Sequence, residues 1–129
     1  MIFDFKKIKN NKLTYIIAEI GVNHDCSIKK AKKMIYLAKK NGASAAKFQT
    51  YKSETIVSKH SPAYWDLKKE KTKSQYELFK KYDKFNKEDY ISLSKYCNKL
   101  KIDFLSTPFD TKSVDFLKKL VPVFKISSS

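Results

Sequence analysis

Arginine is absent: all 28 basic residues of this 129-residue chain are lysine, set against 13 acidic ones for a net charge of +15. A charge that large invites a nucleic-acid reading. Arginine's planar fork, however, is what reads guanine and clamps phosphates through two parallel bonds, and a base reader with none would be unusual. The lysines are also scattered along the chain rather than gathered into one basic stripe. The charge therefore reads as a solvated lysine-rich surface over an ordinary fold, with a general pull on anionic small molecules. No apolar run approaches the roughly 18–20 residues that a membrane span needs. Residues 1–12 lack the apolar core of a signal peptide, so a cytoplasmic location with no membrane partner is expected. Cysteine is scarce: Cys26 and Cys97 lie far apart without metal-type spacing and read as reduced thiols.

What is present suffices for one compact domain, with 42% hydrophobic and 14% aromatic residues. Residues 15–20 (YIIAEI) form a short apolar run ending at Gly21, a buried strand. Ser27 then offers a helix N-cap, and Ile28, Ala31, Ile35 and Ala38 follow at helical spacing up to Asn41 and Gly42. Residues 45–50 (AAKFQT) make a second strand. The stretch 51–72 lacks clean periodicity and carries Pro62, a long excursion of the kind that is commonly functional or disordered. Residues 74–82 read as a short helix. Asn86 caps a longer one with Tyr90, Leu93, Cys97 and Leu100 on one face. Residues 102–107 are a third strand. Val114, Leu117 and Leu120 stripe a helix that stops before Pro122, and residues 123–126 begin a fourth strand. Strands alternating with amphipathic helices call for a parallel sheet covered by helices; periodicity alone does not separate a doubly wound sheet from a barrel.

The informative feature is which strand ends carry polar side chains. Glu19 lies near the end of the first strand, Lys47 and Gln49 end the second, Ser106 and Thr107 the third, and Lys125 with Ser127 and Ser128 the fourth. Alternation with period two lets each set point into one shared interior, where barrel enzymes place their catalytic groups. Two lysines, several hydroxyls and one acid converging there suit an anionic substrate. Plainer readings stand beside this one. Lys47 could snorkel, Glu19 could form a structural ion bridge with a lysine, and Ser106 or Thr107 could cap the next helix. His24 and His60 read as loop histidines. From spacing alone the chain is an α/β enzyme or binding protein for an anionic small molecule.

The segments IAEIGVNH (17–24), AKFQT (46–50), FLSTPFD (104–110) and FKISS (124–128) resemble, in order, four strand motifs of the sialic acid synthase family, across nearly the whole chain. Residues 74–89 are more similar to its neuraminate and legionaminate branch than to its pseudaminate branch. The resemblance implies a (β/α)₈ TIM barrel, of which residues 1–129 are the N-terminal part covering about four βα units, with a C-terminal antifreeze-like domain absent. A typical barrel takes about 250 residues. It implies condensation of phosphoenolpyruvate with an N-acetylated amino-sugar aldehyde to a nine-carbon 2-keto sugar acid, releasing phosphate. It assigns Lys47, Thr107, Lys125 and Ser128 to phosphoenolpyruvate, Gln49 to the amino sugar, and Glu19 to a catalytic place near the metal and aldehyde. The cofactor implied is a divalent metal, manganese, whose ligands lie outside this chain; His24 does not match them. A homodimer is expected for the full-length protein, and no activity for these 129 residues alone. Departures are the absence of a glycine around residues 120–122 and Ser129 where glycine is frequent. Alternatives are a pseudaminate synthase or spore-coat polysaccharide relative, an inactive truncated remnant, and a lysine-rich nucleic-acid-binding module.

Overall fold

Three strands, β1 (Ile17–Gly21), β2 (Ala45–Thr50) and β3 (Asp103–Pro108), pair parallel in the order β1-β2-β3. The structure is a computed structural model and describes residues 2–127 other than 11 and 13. Helix α1 (Phe5–Lys9) precedes β1, and α2 (Ile28–Lys40) joins β1 to β2. Then α3 (Ser53–Ile56), α4 (Gln75–Tyr82) and α5 (Lys87–Leu100) lead to β3, and α6 (Thr111–Leu117) follows it.

The helices start where the sequence supplies oxygen acceptors for otherwise orphaned amides. The Ser27 side chain accepts from Lys30 N at the head of α2. Asn86 and Asp89 form a reciprocal capping box at the head of α5. Gly42, at φ 87°, follows the C-cap of α2 in a conformation that side-chain-bearing residues avoid. Ala31 and Ile35 of α2 and Tyr90, Leu93 and Cys97 of α5 pack with Ile20, Ala46, Phe48 and Phe104 into the core. Each fully buried large apolar side chain there contributes about 1.5–3 kcal/mol. Leu117 of α6 joins the same cluster, so α2, α5 and α6 all cover one face of the strands. Sequential strand order with the helices on one face is the wall of a barrel; a doubly wound sheet carries helices on both faces and reverses its order.

Four features depart from the sequence-based expectation. Helix α1 has no buried residue, so it leaves no apolar stripe to detect; Asp4 caps it through Lys7 N. The excursion contains α3 and, farther on, an isolated antiparallel bridge between Pro62 and Ser74. Val114 faces outward, while Leu117 is buried and Phe116 and Leu120 pack partly against the core.

The fourth departure bears on the site: residues 123–126 form no strand. Phe124 packs partly against the core, but Lys125 is exposed and Ile126 is 77% exposed. A strand placed there would pair with β3 on one side and face water on the other. Pro122, just before it, lacks an amide proton, and parallel pairing returns less per residue than antiparallel. The expected placement of Lys125 in a fourth strand is therefore corrected to an exposed segment after α6. Ser128 lies outside the described residues.

Candidate functional site

Register decides which polar side chains share a face. Glu19 pairs with Lys47, Lys47 with Leu105, and Gln49 with Thr107. Directly opposed residues in a sheet project to the same side, so Glu19, Lys47, Gln49 and Thr107 stand together on the face that the core helices leave free. Ser106 belongs to the opposite face, where its hydroxyl meets that of Thr50 at 2.6 Å, and its role is structural. The two hydroxyl residues at the end of β3, indistinguishable by spacing, are thus separated.

Lys47 is the centre of the cluster. Its side chain is 10% exposed and ion-pairs with Glu19, whose own side chain is 52% exposed. The ammonium also lies 3.4 Å from the Thr107 hydroxyl, a long hydrogen bond. A buried ammonium without a partner is costly, and here the partners are one acid half open to water and one hydroxyl. The ion bridge expected for Glu19 and the convergence of polar side chains expected at the strand ends are therefore the same arrangement, which satisfies Lys47 with a carboxylate that water reaches.

The ends of β1 and β2 meet at Gly21. A Cβ at Gly21 would lie 3.6 Å from Glu19 Oε1 and 3.8 Å from Gln49 Nε2, so both side chains gather over this glycine. Gly21 also has φ 55°, and the β1–β2 register shifts between Glu19 and Gly21. Behind the site, Tyr90 of α5 donates its hydroxyl to the Gln49 carbonyl at 3.0 Å. Burial pushes this phenol up to about 12, so it remains a donor throughout the neutral range. Sequence reasoning saw Tyr90 only as a member of an apolar stripe. The loop after β2 is pinned beside the site: Ser53 donates from N and Oγ to Asp83 Oδ2 at 2.9 and 2.6 Å. Lys52 Nζ reaches the Asp83 and Phe85 carbonyls at 2.6 and 3.0 Å.

Among the described residues, no three His, Cys, Asp or Glu side chains converge as a metal site would require. Lys125 has no hydrogen bond or ion pair among the described residues and is not brought to the cluster. A cavity of about 380 Å³ opens between the starts of α5 and α6, over Phe85, Tyr90 and Phe116. None of the four clustered side chains lines it. No helix among the described residues is long and apolar enough to cross a membrane.

Comparison with known proteins places these features. A model of the NeuB family matches residues 34–129. The N,N'-diacetyllegionaminic acid synthase of Legionella pneumophila is 43% identical over 108 residues, covering 82% of this chain and 30% of that protein. The N-acetylneuraminate-9-phosphate synthase of Drosophila melanogaster is 39% identical, covering 88% of this chain and 31% of that protein. A crystal structure of N-acetylneuraminic acid synthetase from Leptospira borgpetersenii in complex with citrate superposes with a TM-score of 0.74 at 32% identity, over 90% of this chain and 36% of that one. The fold is accordingly α/β, a segment of a TIM barrel with a parallel sheet. The chain spans about a third of the length of the curated relatives it matches.

Proposed function

This chain belongs to the NeuB family, and from that premise we propose that the protein carrying it is a sialic-acid-type synthase. It joins phosphoenolpyruvate to an N-acetylated amino-sugar aldehyde, with release of phosphate. The observation that supports this most directly is a nearly buried lysine, Lys47, held by Glu19 and Thr107 at the strand ends on the open face. Phosphoenolpyruvate carries about three negative charges, and a lysine serves it as a point-charge partner with no geometric fork to satisfy.

In the reaction the enol carbon attacks the open-chain aldehyde carbon and forms the new C–C bond. Water adds to the cationic centre left behind, and phosphate departs by C–O cleavage. The residues here bind and orient. Lys47 and Thr107 hold the anionic ends of phosphoenolpyruvate. Glu19, displaced from Lys47 by that anion, turns toward water and the sugar hydroxyls. Gln49, beside it, offers an amide to the N-acetyl sugar. Lys125 and Ser128 belong to the same anion by resemblance; for Lys125 to reach it, residues 123–127 must pair along the free edge of β3. The divalent metal, manganese by resemblance, would take its ligands from outside this chain and would supply Lewis-acid polarisation of the aldehyde oxygen.

The 43% identity to a legionaminic acid synthase favours a diacetamido sugar or N-acetylmannosamine over a pseudaminate precursor. The test is phosphate release from phosphoenolpyruvate with manganese and each sugar in turn, using the complete product of the gene. Release that depends on one of these sugars is the expected result. Silence with every sugar from a folded, metal-loaded protein would point to an inactive remnant. The 129 residues alone are expected to be silent in the same assay.

A further inference from the structure

The one buried side-chain nitrogen or oxygen without a hydrogen-bond partner among the described residues is Nε2 of His24. His24 is a loop histidine, in the turn between β1 and α2, and it is 1% exposed. Its ring stacks on Phe85 with centroids 4.3 Å apart and planes 11° from parallel. Phe48 leans on it at 5.7 Å. Nδ1 accepts the Cys26 amide at 3.1 Å. Only a neutral ring with its proton on Nε2 can accept there, because an imidazolium has no free lone pair. Burial above all holds the ring's pKa below its ordinary value; Asp25 and the Gly21 carbonyl oppose that shift and Lys30 adds to it.

The turn that this ring clamps is conformationally expensive. Asp25 and Cys26 stand at φ 49° and 55°, in the left-handed region that residues with side chains avoid. Such a conformation persists when its surroundings over-determine it, and it clusters at functional sites. Here the surroundings are the Nδ1 bond, the Phe85 stack, and backbone bonds from Asn23 N to the Ile20 carbonyl and from Ser27 N to the His24 carbonyl, 3.1 and 2.9 Å. The turn begins at Gly21, the residue over which Glu19 and Gln49 meet and where β1 leaves its register with β2. A shift of the turn therefore moves the backbone that aims Glu19.

We propose that His24, as a neutral imidazole held between Phe85 and the Cys26 amide, is a positioning residue that sets the turn at residues 21–26 and, through Gly21, the aim of Glu19 toward Lys47 and Gln49. Its kinetic consequence rests on the synthase reading above; its structural consequence does not. Because Nδ1 is committed to the Cys26 amide, the ring proton sits on Nε2, on the buried side of the ring.

Two variants separate positioning from packing. His24→Phe keeps a ring to stack on Phe85 but has no acceptor for the Cys26 amide. His24→Asn loses the stack but supplies a carbonyl oxygen suited to an amide two residues on. In the protein carrying this chain, His24→Phe is expected to lower kcat by about tenfold or more, to raise KM for N-acetylmannosamine or its diacetamido analogue, and to leave KM for phosphoenolpyruvate within about twofold. His24→Asn is expected to recover most of kcat. Wild-type kinetics in His24→Phe would overturn the proposal. So would equal loss in both variants tracking a common fall in melting temperature, which would mark packing alone. An NMR measurement decides the matter independently of activity. The ring nitrogens should report an Nε2–H tautomer at neutral pH, and the Glu19 carboxyl and Gly21 amide signals should move in His24→Phe and return in His24→Asn. If the wild type releases no phosphate with any sugar, the synthase reading falls while this comparison still judges His24. An Nδ1–H or charged ring, or unmoved Glu19 and Gly21 signals, would overturn the proposal in either case.

Discussion

Lys47 and Glu19 make unequal demands on each other. The ammonium is nearly buried and needs a partner, whereas the carboxylate is half in water and does not. Replacing Glu19 by Gln should therefore destabilise the fold by about 1–2 kcal/mol, less than the roughly 3–5 of a fully buried pair because water reaches the vacated side. Phosphoenolpyruvate should bind this variant at least as well, since no carboxylate competes for Lys47. Lys47→Met removes the charge together with its need for a partner and should leave stability nearly unchanged in urea unfolding. Its use of phosphoenolpyruvate should weaken by about 2–4 kcal/mol, as for losing a partner of a desolvated charge pair. Unchanged kinetics for phosphoenolpyruvate in both Lys47→Met and Lys125→Ala would mean that the roles carried over from the family are wrong. The thiols divide along similar lines. Cys97 is fully buried and burial pushes it up to about 12, while Cys26 is half-buried. A maleimide at pH 8 should label Cys26 in the native protein and Cys97 only after unfolding.

At the scale of elements, the helices that back the site are the ones the sequence caps well. Ser27→Ala and Asn86→Ala should each cost about 1 kcal/mol. In Asn86→Ala the residue 86 backbone amide can still donate to the Asp89 carboxylate, so only the side-chain half of the box is lost. Residues 123–127 are the contrary case. They follow α6 without joining a strand, so in hydrogen exchange on this chain the amides of 104–107 should be protected while those of 124–126 exchange quickly. Comparable protection of the two segments would reveal the fourth strand and would return Lys125 to the open face.

For the whole molecule the decisive fact is an unclosed wall. Among the described residues β1 and β3 each pair on one side only, and Ile16 and Ile17 beside the β1 edge are 53% and 43% exposed. Free edges flanked by apolar side chains invite pairing with other chains. The 129-residue chain is expected to self-associate at micromolar concentration in light scattering; a monodisperse monomer with a cooperative thermal transition would contradict this. The interior face is nonetheless less bare than half a barrel suggests. Ala45 and Leu105 are buried. The Asp103 carboxylate accepts from the amides of Ile2 and Phe3 at 2.6–2.9 Å and from the Tyr15 hydroxyl at 2.9 Å. Phe3 packs edge-on against Tyr15 at 5.4 Å. This tether folds the amino terminus back onto the start of β3, so the strand starts are held from below while their ends, with Lys47, remain accessible.

Local pattern was enough to determine the three strands, the α2 and α5 helices with their caps, and the strand-end positions of Glu19, Lys47, Gln49 and Thr107. Each depends on residues within one turn or one strand, where alternation and capping act directly. Only the tertiary structure decided that the helices share one face, that Thr107 joins Lys47 while Ser106 turns to Thr50, and that His24 is buried against Phe85. Those outcomes depend on register and packing between residues 27 to 61 apart in the chain, and no local signal carries them. The fourth strand marks the boundary between the two. Residues 123–126 have the composition of a strand, but a strand is a relation to neighbours, and here only one neighbour is present to bond it.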